Sequence, residues 1–196
     1  LIGAAKALPR DGHPAFHLAD FIVLALHTGC RSGELLGLEW DRVDLRNNLI
    51  RLEGDHTKSG RGRSVPINGD ARAALLGRAR HRAEHCPDSP WVFVNSNPRW
   101  KGRRISSVKS AFSAACKRAN IEHCTPHTLR HTCASWMVME GRSLMEVRDI
   151  LGHSTVKMTE RYAHLAPERL REAVSVLETG RTFAVPSSTT RRLRYQ

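Results

Sequence analysis

Residues 125–162 gather cationic guanidinium forks, several imidazoles and one of the two tyrosines of the chain. They run Thr125-Pro126-His127-Thr128-Leu129-Arg130-His131, then Leu151-Gly152-His153, then Arg161-Tyr162. A guanidinium holds two phosphate oxygens in a fixed geometry, an imidazole moves protons near neutral pH, and a phenol oxygen can attack phosphorus. Together they suit transfer of a phosphoryl group to an enzyme side chain without a metal. A free phenol ionises only near pH ~10, so such attack at neutral pH needs a neighbouring base and a cationic pocket.

The elements around these residues follow from the apolar spacing. Phe16, Leu18, Phe21, Ile22, Leu24, Ala25 and Leu26 cover most of a helix from Ala15 to His27, which predicts a largely buried helix stopped by Thr28-Gly29. A short second helix then begins at Arg31, at a junction where a guanidinium near the core needs an anionic partner. Val43 and Leu45, then Leu49, Ile50 and Leu52, then Val65 and Ile67 predict a small three-stranded antiparallel sheet, with Lys58 near its second turn. A helix over Ala71–Glu84, a short buried strand Trp91–Val94, a basic loop Asn95–Arg104 and a helix over Ser106–Ala119 follow. Pro126 fits the first turn of a helix running to Met139, in which His127, Arg130 and His131 share a face. Ser143 caps a helix to Leu151, Ser154 caps one that should carry Tyr162, and Pro167 opens a last helix to Glu178. The fold class is therefore α+β and mostly helical, a single domain with one small antiparallel sheet.

Thirty-one Lys and Arg against 19 Asp and Glu give a net charge of +12 over 196 residues, which fits a polyanionic partner such as DNA. Five scattered cysteines suit a reducing compartment, and no apolar run reaches the ~20 residues of a membrane span. These features point to a cytoplasmic protein at the nucleoid rather than a membrane protein.

The segments Thr28-Gly29-Cys30-Arg31-Ser32-Gly33-Glu34-Leu35, His127-Thr128-Leu129-Arg130-His131, Leu151-Gly152-His153 and Tyr162-Ala163-His164 resemble the catalytic domain of tyrosine recombinases, the phage integrases. The resemblance spans about residues 15–178, and its weight lies in the order and spacing of the pieces. It implies a site-specific recombinase that cleaves and rejoins DNA through a 3′-phosphotyrosyl intermediate, with no cofactor and no metal. Arg31 and Arg130 would clamp the scissile phosphate, Tyr162 would be the nucleophile, and Lys58 would protonate the leaving 5′ oxygen. His127 would carry the proton of the attacking or returning oxygen, His153 would hydrogen-bond the phosphate, and Glu34 would support the site. Arg61, Arg63, Arg99, Lys101, Arg103 and Arg104, on two basic loops, would meet the DNA backbone. The implied partners are double-stranded DNA, further protomers in a tetrameric synapse, and accessory DNA-bending proteins. Residues 1–12 then read as a linker from a missing N-terminal DNA-binding domain, 13–180 as the catalytic domain, and 181–196 as a mobile basic tail.

Three other readings compete. A type IB topoisomerase-like relaxase shares the Arg, Lys, His and Tyr chemistry. A non-catalytic DNA-binding regulator could keep the fold without the reaction. Cys124, His127 and His131, with Cys116 and Cys133 nearby, superficially resemble zinc spacing but lack a paired Cys-x-x-Cys knuckle. Tyr162 could also be a core residue with its hydroxyl at the rim.

Overall fold

Two helices open the chain, α1 (Ile2–Lys6) and α2 (Phe16–Thr28), and α2 is the most heavily packed element, touching helices before and after it in the chain. A computed structural model describes residues 1–7, 16–54, 62–166 and 174. Leu18, Phe21, Ile22, Leu24 and Ala25 are all buried, as apolar residues distributed around a helix require. Thr28 ends the helix by returning its hydroxyl to the Leu24 carbonyl at 2.5 Å, and Gly29 turns the chain at φ +63°. Here the glycine is obligatory, because a Cβ would lie 2.4 Å from Leu151 Cδ2 and 3.2 Å from Cys133 Sγ. Within the stretch expected as a linker, Ile2–Lys6 is helical, and Ala5 is buried in the core.

Helix α3 (Ser32–Leu36) leads through a 3-10 turn (Trp40–Arg42) into the sheet. Strands β1 (Val43–Asp44), β2 (Leu49–Leu52) and β3 (Arg63–Pro66) pair antiparallel in the order β1-β2-β3, with Val43 opposite Ile50 and Ile50 opposite Val65. Ile50 and Leu52 point into the core while Arg51 faces solvent, the alternation that fixes register. The turn expected to hold Lys58 and Arg61 lies outside the described residues.

Asn68 caps α4 (Gly69–His85) by accepting from the Ala71 N–H at 3.0 Å. Trp91–Val94, expected as a strand, is instead a bent segment, buried from Val92 to Val94, with one bridge at each end, Glu39 to Trp91 and Val94 to Arg104. It meets other backbone through isolated bonds, such as Val92 N–H to Leu38 O and Ile105 N–H to Phe93 O, so no ladder forms. Helix α5 (Lys109–Arg118) starts three residues later than the apolar pattern suggested, after the buried Ile105 and Val108.

Pro126 opens α6 (Pro126–Met139), where the Thr125 N–H donates to the Thr128 hydroxyl at 3.0 Å. Ser143 and Glu146 form the reciprocal cap of α7 (Leu144–Leu151), which Gly152 ends in the left-handed conformation. The next helix, α8, is only Lys157–Glu160 and is not capped by Ser154; Tyr162 sits on the turn just after it rather than within it. Ala134, Val138, Val147, Leu151 and Tyr162 make a second, smaller core beneath α6 and α7. Of Pro167–Gln196 only Val174 is described, so the expected last helix and basic tail lie outside the described residues. Among the described residues no helix is long and apolar enough to cross a membrane.

Candidate active site

Local capping builds the first half of the site. Arg31 precedes α3, and the carboxylate of Glu34 accepts both its backbone N–H and its Nη1, each at 2.8 Å. The second partner of Glu34 comes from the sheet: Arg63 donates Nη1 to Oε1 at 3.1 Å and Nη2 to Oε2 at 2.8 Å. Burial alone would favour the neutral acid, but the bonds from Arg63 and Arg31 hold the Glu34 carboxyl below the usual carboxylate range. Arg63 also donates Nε to the Ile150 carbonyl at 3.2 Å, tying β3 to α7. Arg63 was expected among the DNA contacts, and its side chain is only 9 % exposed. That guanidinium is directed inward and holds Glu34, which in turn orients Arg31.

Arg130 is held differently. It is 3 % exposed, and its Nη1 and Nη2 donate to the carbonyls of Gly29 at 2.6 Å and Leu151 at 2.7 Å. Among the described residues no carboxylate lies within ion-pair distance of it. Burial, reinforced by the neighbouring Arg31 charge, lowers its pKa to about 10, so it remains a cation at neutral pH. A buried guanidinium bonded only to neutral carbonyls carries a charge that an incoming anion would compensate. Arg31 reaches the same region by donating Nη2 to the Gly152 carbonyl at 3.4 Å. Gly152 is required there, since a Cβ on it would press within 2.9 Å of the Arg63 side chain.

Both arginines line an open cleft of about 860 Å³ together with His127, His131, His153 and Tyr162. His153 is oriented by a 2.8 Å hydrogen bond between its Nδ1 and the hydroxyl of the buried Thr159. Burial, then Arg130 and Arg31, push its pKa down to about 4, so it is a neutral imidazole at pH 7. His127 is exposed at the cleft wall, its pKa lowered by partial burial and then by Arg130 and Arg31. Its ring packs edge-to-face on His131, 4.7 Å between centroids.

Tyr162 is 6 % exposed and packs in the smaller core, while its hydroxyl meets Nδ1 of His131 at 2.5 Å. Core packing and a directed hydroxyl thus coexist in one side chain. Burial raises the phenol pKa, opposed by the charges of Arg161 and Arg130.

The structure thus brings together Arg31, Glu34, His127, Arg130, His153 and Tyr162. Lys58 and Arg61 lie outside the described residues. Arg99, Lys101, Arg103 and Arg104 are exposed on the loop after Val94, and Arg99 and Arg103 stack on the half-exposed Trp100 at 5.3 and 5.5 Å. Two contributors were absent from the expected set. His131 was visible in the motif, four residues after His127 on the same helix face, whereas nothing local marks Thr159. No group of three His, Cys, Asp or Glu among the described residues could hold a metal ion.

Residues 5–169 match the phage integrase family. The chain is 30% identical over 179 residues to the integrase of Salmonella phage P22, covering 87% of this chain and 45% of the phage protein. It is 33% identical over 160 residues to the tyrosine recombinase XerC of Corynebacterium glutamicum, covering 80% of this chain and 50% of that protein. It therefore spans about half the length of these curated relatives. Among solved structures, the catalytic domain of bacteriophage HP1 integrase superposes with a TM-score of 0.63 at 30% identity, covering 89% of this chain and 87% of that one. XerA recombinase gives 0.68 at 27% identity, covering 91% and 62%.

Proposed function

This chain belongs to the phage integrase family, and from that premise we propose that it breaks and rejoins DNA strands at specific sites through a 3′-phosphotyrosyl intermediate. The observation that carries the reading is the convergence of Tyr162, Arg31 and the buried, carbonyl-bonded Arg130 on one cleft.

In the proposed reaction the scissile phosphate lies between Arg31 and Arg130, which bind its non-bridging oxygens and stabilise the charge that grows in the transition state. Glu34 keeps Arg31 in place and Arg63 keeps Glu34 in place. Neutral His153, oriented by Thr159, donates a hydrogen bond to a phosphate oxygen. The Tyr162 O–H bond breaks as its proton passes to His127, the proposed proton carrier in the same cleft, its oxygen forms the bond to phosphorus, and the P–O5′ bond breaks to release a 5′-hydroxyl. Lys58 is the proposed donor of that last proton, on the resemblance alone. The new ester keeps the phosphodiester energy, so a 5′-hydroxyl can reverse the step without ATP.

The exposed Arg99, Lys101, Arg103 and Arg104 supply candidate contacts to the backbone of double-stranded DNA, the proposed substrate. Further copies of the chain in a tetrameric synapse and accessory DNA-bending proteins are the proposed partners. Covalent capture on nicked suicide duplexes cut from the DNA flanking the gene tests the reading. The unaltered chain should give an SDS-resistant adduct and Tyr162→Phe none. An adduct that survives Tyr162→Phe would remove Tyr162 as nucleophile.

A further inference from the structure

We propose that Trp100 is a positioning residue for DNA: its indole carries Arg99 and Arg103 as a paired clamp for two nearby phosphates of one duplex. This rests on double-stranded DNA being the substrate, and it does not depend on the strand-transfer chemistry.

The loop is built before any DNA arrives. Val94 and Arg104 form an isolated bridge at its base. Inside it the Asn95 N–H donates to the Arg103 carbonyl at 2.8 Å, and the Gly102 N–H donates to the Asn95 carbonyl at 3.0 Å. At the tip Pro98–Trp100 is a 3-10 turn, where the Asn97 side chain accepts from the Arg99 N–H at 3.0 Å and the Asn97 carbonyl from the Trp100 N–H at 2.9 Å. The Arg103 N–H returns to the Trp100 carbonyl at 3.0 Å, and the Ser89 hydroxyl ties the Gly102 carbonyl to the body of the protein at 2.9 Å. The backbone of the tip is thus fixed without using the side chains of Arg99, Trp100 or Arg103.

Those three side chains form a cluster of their own. Trp100 is 46 % exposed, and the guanidinium carbons of Arg99 and Arg103 lie over its ring, 5.3 and 5.5 Å from the centroid. A single exposed tryptophan needs no explanation. Two cations on one indole do, because each long side chain gives up rotamer freedom to stay there. Residues 95–104 contain no Asp or Glu. Among the described residues no carboxylate pairs with Arg99, Lys101 or Arg103. Positive charge left uncompensated by the protein is complementary to a polyanion.

Stacking leaves the useful atoms available. An arginine held against an aromatic face keeps its in-plane N–H groups for phosphate oxygens, which accept them in pairs. The indole removes side-chain freedom that binding would otherwise have to remove, and such pre-ordering raises affinity. Because both guanidiniums sit on one ring, they reach phosphates that are close neighbours on the duplex. Arg104, over the Trp91 ring at 5.6 Å, extends the same cationic surface at the base of the loop. Contacts of this kind fix the duplex against the protein without reading its sequence.

Two measurements test this. The first is equilibrium affinity for a fluorescent duplex of unrelated sequence, measured by anisotropy over a range of salt concentrations. It compares the unaltered chain with Trp100→Ala, Trp100→Phe, the pair Arg99→Ala/Arg103→Ala, and the triple variant. Trp100→Ala should weaken binding about fivefold or more at fixed salt. Its salt slope should stay within about 0.5 of the parent, because both charges remain. Trp100→Phe keeps a ring and should restore affinity to within about threefold of the parent. The arginine pair should lower the slope by about 1.8, one phosphate for each guanidinium. The triple variant should bind as weakly as the arginine pair, to within about twofold, since the indole acts only through those two residues. A Trp100→Ala chain of parental affinity would sink this inference alone. A triple variant weaker than the pair by the full Trp100→Ala factor would mean that the indole touches DNA itself, and would also overturn it. No duplex binding by the unaltered chain would overturn DNA as substrate and this inference with it.

The second measurement needs no variant. In ¹⁵N–¹H NMR of the unaltered chain without DNA, the Trp100 ring current should move the Nε–H resonances of Arg99 and Arg103 upfield, and adding the duplex should shift the same two. Ordinary positions for both without DNA, or resonances indifferent to the duplex, would overturn the proposal.

Discussion

Removing the charge of Glu34 while keeping its shape is the severest single test of how the site is held. Its two oxygens accept four hydrogen bonds, two from Arg31 and two from Arg63. In Glu34→Gln only one oxygen remains, so two of the four are retained at most. The new amide N–H₂ faces donors it cannot pair with. A hydrogen bond involving a charged group contributes about 1.5–3 kcal/mol, so losing two costs about 3–6 kcal/mol. The figure agrees with the about 3–5 kcal/mol expected when one member of a buried ion pair is removed. Little solvent screening reduces it, since the Glu34 and Arg63 side chains are 2 % and 9 % exposed, although Arg31 at 21 % recovers some hydration. Urea unfolding at pH 7 reads the loss directly. The double variant Glu34→Gln/Arg63→Met should lose less than the sum of the singles, because it removes one of the stranded guanidiniums. Covalent capture should fall more than duplex affinity, because Arg31 is misplaced for the transition state. A Glu34→Gln chain within about 1 kcal/mol of the parent would refute the reasoning.

Gly29→Ala forces a left-handed alanine against Leu151 Cδ2 and Cys133 Sγ, which should cost about 2–5 kcal/mol from backbone strain and overpacking together. The same change displaces the carbonyl that holds Arg130, so capture should fall more than fluorescence-detected folding, and a chain of parental stability would contradict this. A pH effect on stability arises far from the cleft. Burial, then the Arg78 charge, push the pKa of His17 to about 4 from 6.5, and His81 behaves likewise. Both states are neutral above pH 6.5; between 6.5 and 4 only the unfolded chain takes up the proton. Stability should therefore fall as pH drops through that window, by at most about 3 kcal/mol for His17 and less for the more exposed His81. His17→Gln should flatten the pH dependence of the melting temperature between pH 6.5 and 4; an unchanged slope would contradict it.

The local chemistry of this chain was legible residue by residue. Helix periodicity with Pro126 and Thr125, the Ser143–Glu146 cap and Gly152 at the end of α7 are decided within a few neighbours, so sequence alone fixes where Arg130 stands on α6 and where His153 follows the end of α7. The order of Arg31, His127, Arg130, His153 and Tyr162, together with the excess of positive charge, already pointed to phosphoryl transfer on a polyanion. Local patterns misled where an element's extent depends on distant partners. Trp91–Val94 is apolar but bends and meets no continuous strand, and α8 ends before Tyr162 because the chain must turn there to carry the ring under α6.

The choices between chemically equal residues belonged to the tertiary structure. Helical spacing places both His127 and His131 on one face, and only packing of the turn after α8 brings the phenol to His131. Arg63 reads like any basic loop residue until β3 lies against α7 and directs its guanidinium onto Glu34. Among the described residues Arg130 meets no carboxylate; Gly29 and Leu151, 101 and 21 positions away, arrive with carbonyls instead. Residue type and short-range spacing set which chemistry is available. Which atom meets which depends on contacts between segments far apart in the chain, and those are fixed only when the core closes.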